Sequence, residues 1–427
     1  MRRANLLSVA LTLVFAISFT PLTNAQMYSQ GAQFPPGYGG HPHLIQTPRS
    51  HYQAPIVDQY VQHSADVWDV NRPIEKFLHE VGKRSWLRLE YMNWDYKPPG
   101  EHVIGAPVTG LLNNTDTFDT SNRRDAVEIP AGQTMFANMS TIDVRDKSGI
   151  RGTLGVALDF GSLEVSTFGF EKGSDLFSES DLSSFRAVGT ESLGTDFRPN
   201  YAIPLLNNGA PSDISAVNSF VFDESIGANM TTQMWGAGAI VLQDPYLPNQ
   251  TMQWQWLGGF RYLSLDEAFN IHGIYNNGRT IPNEVTQIRS STISNMYGPE
   301  LGGRVSVSHG RVKASFTPRV MLGLNDYNAN VNYIDRSGAL VQTADSKVEF
   351  SSVTQLSFST EVAVNDYCTL FAGYDWIFIP KVTRPHTNIR YNSTPAIGGG
   401  FIPDVRADAN KETFYANGFS FGLAIAY

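Results

Sequence analysis

From Trp86 onward the chain alternates apolar with small or polar side chains at a period of two residues, in run after run. Successive side chains of a β-strand point to opposite faces, so this pattern prescribes strands with one greasy face and one polar or crowded face. About ten runs reach the roughly nine to eleven residues that a tilted strand needs to cross a bilayer. They cover residues 85–96, 150–160, 162–171, 229–243, 251–265, 288–308, 310–325, 347–365, 366–380 and 413–427. The last run is the clearest. Phe419, Phe421, Leu423, Ile425 and Tyr427 share one face, and Gly418, Ser420, Gly422, Ala424 and Ala426 share the other.

The links between runs alternate in length. Short ones fall at 160–161, 244–250, 309–310 and 365–366, and long ones at 97–149, 172–228, 266–287, 326–346 and 381–412. Gly and Asn in the short links accept positive φ, as hairpin turns require. Short turns on one side and long loops on the other are the habit of outer-membrane barrels. A soluble sandwich or barrel would not require that asymmetry. The expected fold is therefore all-β: a closed antiparallel transmembrane β-barrel of about ten strands, with twelve as the alternative. Trp86, Trp94, Trp235, Trp254, Trp256, Tyr374 and Trp376 lie near strand ends and are expected to form an interfacial girdle. Pro318 inside one run predicts a bulge, because proline cannot donate to a ladder. Phe168 and Phe170 share parity with Glu164, which predicts another irregularity.

What precedes the strands reads as export and tether. Arg2 and Arg3, an apolar stretch from Leu6 to Phe19, and the small residues Thr23, Asn24 and Ala25 form a signal peptide cleaved near Ala25. Residues 26–84 read as a periplasmic lead, mostly flexible, with one short helix near 73–82 behind Pro73. Residues 85–427 are the barrel domain. Charged residues make up 17% of the chain and the net charge is −9, or −9 − 2 = −11 without Arg2 and Arg3. An acidic chain with no basic run is a poor nucleic-acid binder. Cys368 is the single cysteine, so no intramolecular disulfide forms. No metal or cofactor motif is present in the sequence; scattered His41, His43, His51 and His63 read as solvated linker residues.

The inward parity gives the candidate site. Arg88, Glu90, Arg151, Glu164, Arg261, Glu300, Arg304, Arg311, Lys313, Arg319, Glu361 and Asp375 are the expected pore-lining residues, with Asp159 among them. A barrel of about ten strands is narrow, so these charges either pair into a plug or line a thin anion-favouring pore. Phe419, Phe421, Leu423, Ile425 and Tyr427 are the lipid-facing residues of a C-terminal signal for barrel-assembly machinery, with lipid as the other partner. Oligomeric state is left open. An enzyme would need a paired acid and histidine at the outer rim. His272, His386, Asp266, Asp404 and Asp408 fall in expected outer loops, but no spacing links them, and the expectation is no enzyme. The expected role is a narrow porin-like channel for small solutes or ions, or an envelope structural barrel; a surface-interaction role through the long loops, which carry Phe118, Phe136, Phe177, Phe185 and Phe197, is the alternative.

Several segments stand out together: Trp86-Leu87-Arg88-Leu89-Glu90-Tyr91, then Gly258-Gly259-Phe260-Arg261-Tyr262-Leu263 and the run from Tyr297 to Arg304. Ala372-Gly373-Tyr374-Asp375-Trp376, Thr383-Arg384-Pro385 and the final strand complete the set. In this order they resemble the seventh putative beta-barrel porin type, a family of planctomycete outer membranes. The resemblance implies a porin-like barrel in an outer membrane. It supplies neither a substrate nor catalytic residues.

Overall fold

A computed structural model describes residues 81–109, 134–180, 200–213, 218–222, 224–246, 251–275, 284–334, 338–397 and 400–426. The expected signal peptide and most of the expected lead lie outside these residues, as do Phe118, Phe185, Phe197 and Tyr427. Of the short helix expected near 73–82, residues 81–83 are described and are helical. No helix among the described residues is long and apolar enough to cross a membrane.

The alternating runs become ten strands: β1 Ser85–Tyr96, β2 Lys147–Leu158, β3 Gly161–Phe170, β4 Ser225–Gln243, β5 Met252–Tyr275, β6 Glu284–His309, β7 Val312–Ile334, β8 Leu340–Ala363, β9 Cys368–Thr383 and β10 Lys411–Ala426. Each pairs antiparallel with its sequence neighbours in the ring. β10 then meets β1 from Trp86↔Ala426 to Tyr96↔Ala416, so the sheet closes with ten strands. Closure leaves no row of backbone donors and acceptors facing lipid, where an unpaired group costs several kcal/mol. Outside the ring's own order, Gly173–Ser180 continues the wall above β3 by pairing with the upper part of β4.

The outer face carries the lipid belt. Phe419, Phe421, Leu423 and Ile425 are exposed on β10, as are Trp254, Trp256 and Phe260 on β5 and Val320, Leu322 and Leu324 on β7. Outward rings pair along it: Tyr91 with Phe421, Trp235 with Tyr262, Tyr374 with Phe419. Two girdle assignments are corrected. Trp94 points inward and is 1% exposed, and Trp86 shares the inward parity of Arg88, whose guanidinium lies 5.6 Å from the indole.

The larger correction concerns height. Two of the expected long loops are mostly strand, leaving links of only 276–283 and 335–339. β6 runs 26 residues, about 85 Å along its axis at roughly 3.3 Å per residue, several times the ~25 Å apolar band of a membrane barrel. β4 to β8 therefore rise as a tall wall on one side of the ring. Above the belt the wall keeps its alternation but inverts its polarity. On β7, Ala329, Val331 and Tyr333 are buried inside, while Asp326, Asn328, Asn330 and Asn332 face out.

The long links fold against the inside of this wall. Phe220 packs on Tyr333 at 5.6 Å, Asn388 donates to Thr292 at 2.8 Å, and the backbone of Ala407 donates to Thr343 at 2.7 Å. The upper interior thus becomes one apolar core that includes Met92, Trp94, Tyr96, Phe168, Phe170, Ile377 and Phe414. This core also explains Phe168 and Phe170. β3 pairs with β2 and β4 in unbroken register, and both rings pack inward on Trp94 at 6.2 and 4.9 Å. No bulge exists there. Pro318 also leaves the register of β7 unchanged, since Pro318↔Leu356 fits the ladder on one side and Gly302↔Arg319 fits it on the other. The register shift lies elsewhere, between Ile379 and Val382 on β9, around Pro380.

The closing seam depends on a close backbone approach. A Cβ built on Gly422 of β10 would collide with the carbonyl oxygen of Leu89 on β1. Gly422→Val is expected to destabilise closure by about 2 kcal/mol or more, since overpacking costs typically 1–3 kcal/mol and backbone yields less than side chains. The measurement is the fraction of compact, heat-modifiable barrel on unheated gels, which should fall relative to the parent chain.

Candidate functional site: the ionic lumen and its plug

Eleven of the thirteen expected lumen residues face inward and meet one another. Glu90 pairs with Arg88 at 2.9 Å and with Arg151; Arg151 reaches Asp375 at 3.0 Å. Arg261 pairs with Glu300 at 3.0 Å and also donates to Gln355, which donates to Asp375 at 3.0 Å. Arg304 and Glu164 form a two-pronged pair at 3.2 and 3.3 Å. Glu361 takes Arg88 and Lys313, both at 3.7 Å, and Arg319 stands 3.9 Å from Glu300. Arg311 is one of the two exceptions: it lies exposed in the turn before β7. Asp159 is likewise in a turn, 93% exposed and 3.1 Å from Arg84.

Three of these pairs join strands that are not neighbours: Arg304 on β6 with Glu164 on β3, Arg88 on β1 with Glu361 on β8, and Arg151 on β2 with Asp375 on β9. The lumen is narrow enough for side chains to meet across it. Charges taken out of water are costly unless each finds a partner, so six cations and five carboxylates interleave here instead of lining separate walls. A cavity of about 70 Å³ remains between them, bordered by Arg88, Arg304, Lys313 and Arg319.

Above this layer a second ionic group closes the interior. Arg384, just past β9, is fully buried and grips Glu267 of β5 with two hydrogen bonds, Nε to Oε2 at 2.9 Å and Nη2 to Oε1 at 2.8 Å. Its Nη1 donates to the Lys97 carbonyl at 3.0 Å and lies 3.4 Å from Glu412. Thr232 donates to Glu267 at 3.0 Å, and the Arg384 guanidinium lies over the Phe414 ring. One side chain thus ties a long outer link to the opposite wall. His386 follows it, 3.4 Å from Glu412 and stacked on His102 at 5.7 Å. Burial, with Arg384, His102 and Lys97 close by, holds the His386 imidazole well below its ordinary pKa of 6.5. Burial also lowers His102, partly opposed by Glu412.

Sequence reasoning placed His386 in an outer loop but did not find its neighbours. Glu267 and Glu412 fell inside expected loops, and His102 carried no signal. Of the other rim candidates, His272 and Asp266 are on the outward face of β5, Asp404 pairs with Arg406, and Asp408 is exposed. None is joined to His386.

A family model described as putative beta barrel porin-7 matches residues 86–427. The chain belongs to the putative beta barrel porin-7 family. Among curated proteins none matches it. Among solved structures it is similar to the outer membrane protease OmpT of Escherichia coli, at 9% identity and a TM-score of 0.41, covering 80% of this chain and 96% of that one. It is also similar to the translocator domain of the autotransporter NalP from Neisseria meningitidis, at 9% identity and a TM-score of 0.33, covering 87% and 98%. Five of the segments singled out in the sequence contribute to the interior of this porin-7 barrel. Arg88 and Glu90 come from the first, Arg261 from the second, Glu300 and Arg304 from the third, Asp375 from the fourth and Arg384 from the fifth.

Removing one partner of the plug should cost more than removing both. Arg384→Met leaves Glu267 buried and uncompensated, a loss of about 3–5 kcal/mol, read as protease sensitivity of the outer region in folded barrel. Adding Glu267→Gln should recover part of that loss. The histidines set a pH dependence. Above about 6.5 His386 is neutral both folded and unfolded, so pH has no effect through it. Below that value the unfolded imidazole takes up a proton that the folded site refuses, so stability falls as pH drops. Protease resistance of the outer region should decline from pH 6.5 to 5, and His386→Gln should flatten the decline.

Proposed function

We propose that this outer-membrane barrel is closed at rest and serves the envelope as a rigid wall and surface platform, not as an open solute channel. The observation that carries this reading is the set of ion pairs crossing the lumen, capped by the Arg384–Glu267 clamp and the apolar core around it. An aqueous channel needs a water-filled path, and barrels of about ten strands fill their interior with side chains. The tall wall of β4 to β8 and the packed links against it supply the platform. Export through residues 1–25 and recognition of the β10 face by assembly machinery complete the proposal. The reading is non-enzymatic and assigns no role to His272.

A second reading has one observation in its favour. The 70 Å³ cavity is bordered by more cations than carboxylates, and Arg319 has only a long 3.9 Å contact with Glu300. If the plug moves, small anions would be the favoured passengers.

Planar-bilayer recording separates the two. The parent chain should give no stepwise current, and Arg384→Ala should raise the frequency of openings by roughly tenfold or more, a change of about 1.4 kcal/mol in the closed state. Steady conductance from the folded parent chain would defeat the closed-barrel reading. Anion selectivity lost in Arg319→Glu would favour the second.

A further inference from the structure

The charges of the lumen do not quite balance. Six cations meet five carboxylates in the ionic layer, which leaves one positive charge unmatched in an interior that solvates charge poorly. The mismatch has a location. Glu300 is held by Arg261 at 3.0 Å and stands 3.9 Å from Arg319, too far for a hydrogen bond. Lys313 is likewise 3.7 Å from Glu361. Nε of Arg88 lies 2.9 Å from Glu90 but makes no hydrogen bond. Arg151, Arg261 and Arg304, by contrast, each donate directly to a carboxylate.

The three weakly engaged cations border one space, the 70 Å³ cavity of the lumen. Lys313, Ser315, Thr317 and Arg319 are consecutive inward positions of β7, and all four line it. Five cations line it in all, against three carboxylates, and polar atoms form most of its wall. The inward-facing side chains of Arg88, Lys313 and Arg319 remain 17, 18 and 16% exposed, and that surface opens onto the cavity. Nζ of Lys313 and the terminal nitrogens of Arg319 donate to no protein group and are not covered. A water-sized species needs roughly 10–15 Å³ of cavity, so a small inorganic anion fits with some of its water. Lys313 is the second residue of β7 and Glu361 the third from the end of β8, so the cavity lies toward the short-turn end, away from the Arg384 clamp.

We propose that the closed lumen holds one small monovalent anion of the chloride class, seated among Arg88, Lys313 and Arg319 as a fixed part of the plug. The anion brings the layer to neutrality and gives the unmatched donors an acceptor. The Thr317 hydroxyl, between Lys313 and Arg319 on the same face, adds a neutral donor. The inference rests on the closed-lumen reading, in which the anion is resident and does not pass through.

The test is equilibrium dialysis of the detergent-folded full chain against radiolabelled chloride in sodium gluconate. Uptake should saturate at one chloride per chain, with bromide competing and gluconate not. Arg319→Gln removes the unmatched charge and should weaken chloride binding about tenfold or more, whereas Arg319→Lys keeps the charge and should retain binding. Replacing gluconate by chloride should raise the temperature at which the parent chain loses its heat-modifiable folded form, and should not do so for Arg319→Gln. Absence of saturable uptake by the folded parent chain overturns the proposal and leaves the ion-pair plug standing. Equal uptake by the parent and Arg319→Gln chains also overturns it, because the anion then sits elsewhere. The two readings fail separately: dialysis does not register conductance, and bilayer current does not register an ion that stays in place. If Arg319→Gln fails to fold, Lys313→Gln takes its place with the same expected loss.

Discussion

Lipid offers the backbone nothing to bond to, and the rest of this structure follows from that. A sheet that crosses a bilayer must have no edge, so β10 must return to β1. Closing a ring of only ten strands forces strong coiling, and small inward residues on β10 make room for it. Gly418, Ser420, Gly422, Ala424 and Ala426 face inward along that seam while Phe419, Phe421, Leu423 and Ile425 meet the lipid. The same alternation serves solvation outside and curvature inside.

Closure in turn creates a narrow interior, and the interior has two layers. Below, the charged residues meet across the lumen and neutralise one another nearly completely, six cations against five carboxylates. Above, the inner face turns apolar on strand after strand: Glu90 gives way to Trp94, Glu164 to Phe168, Arg261 to Leu263, Arg319 to Met321, Asp375 to Ile377. An apolar inner face has to be covered, and the long links do so. Arg384 joins the layers. Its guanidinium is buried in the apolar core yet fully engaged by Glu267, Glu412 and the Lys97 carbonyl, so the link it belongs to has one favoured seat.

Period-two patterning reports parity faithfully, and parity is what the sequence revealed best. Eleven of the expected lumen residues face inward, and Arg311 and Asp159 do not because each falls in a turn between strands. The irregularity expected from Phe168 and Phe170 was the interior's polarity switch seen one strand at a time. A reading that expects polar residues inside along the whole strand takes an inward phenylalanine for a slip. The same expectation ended β5 and β7 too early. Past Leu265 and Asn325 the strands continue with apolar residues inside and polar ones outside, as soluble sheets do, and the membrane pattern no longer detects them. The proline at 318 was overread for a related reason: ladder register is a property of two flanking strands, and both held it in place.

The sequence by itself determined the alternating strands of a closed barrel, the outward belt, the inward charges and the membrane they imply, because each depends on neighbours two residues apart; that the ring closes at ten strands and not twelve came from the pairing of β10 with β1. Tertiary structure alone decided which charges pair across the lumen, that the wall rises beyond the membrane, and that Arg384 reaches Glu267 from a link 117 positions away. Those contacts depend on ring closure, which brings together residues whose separation along the chain carries no local trace.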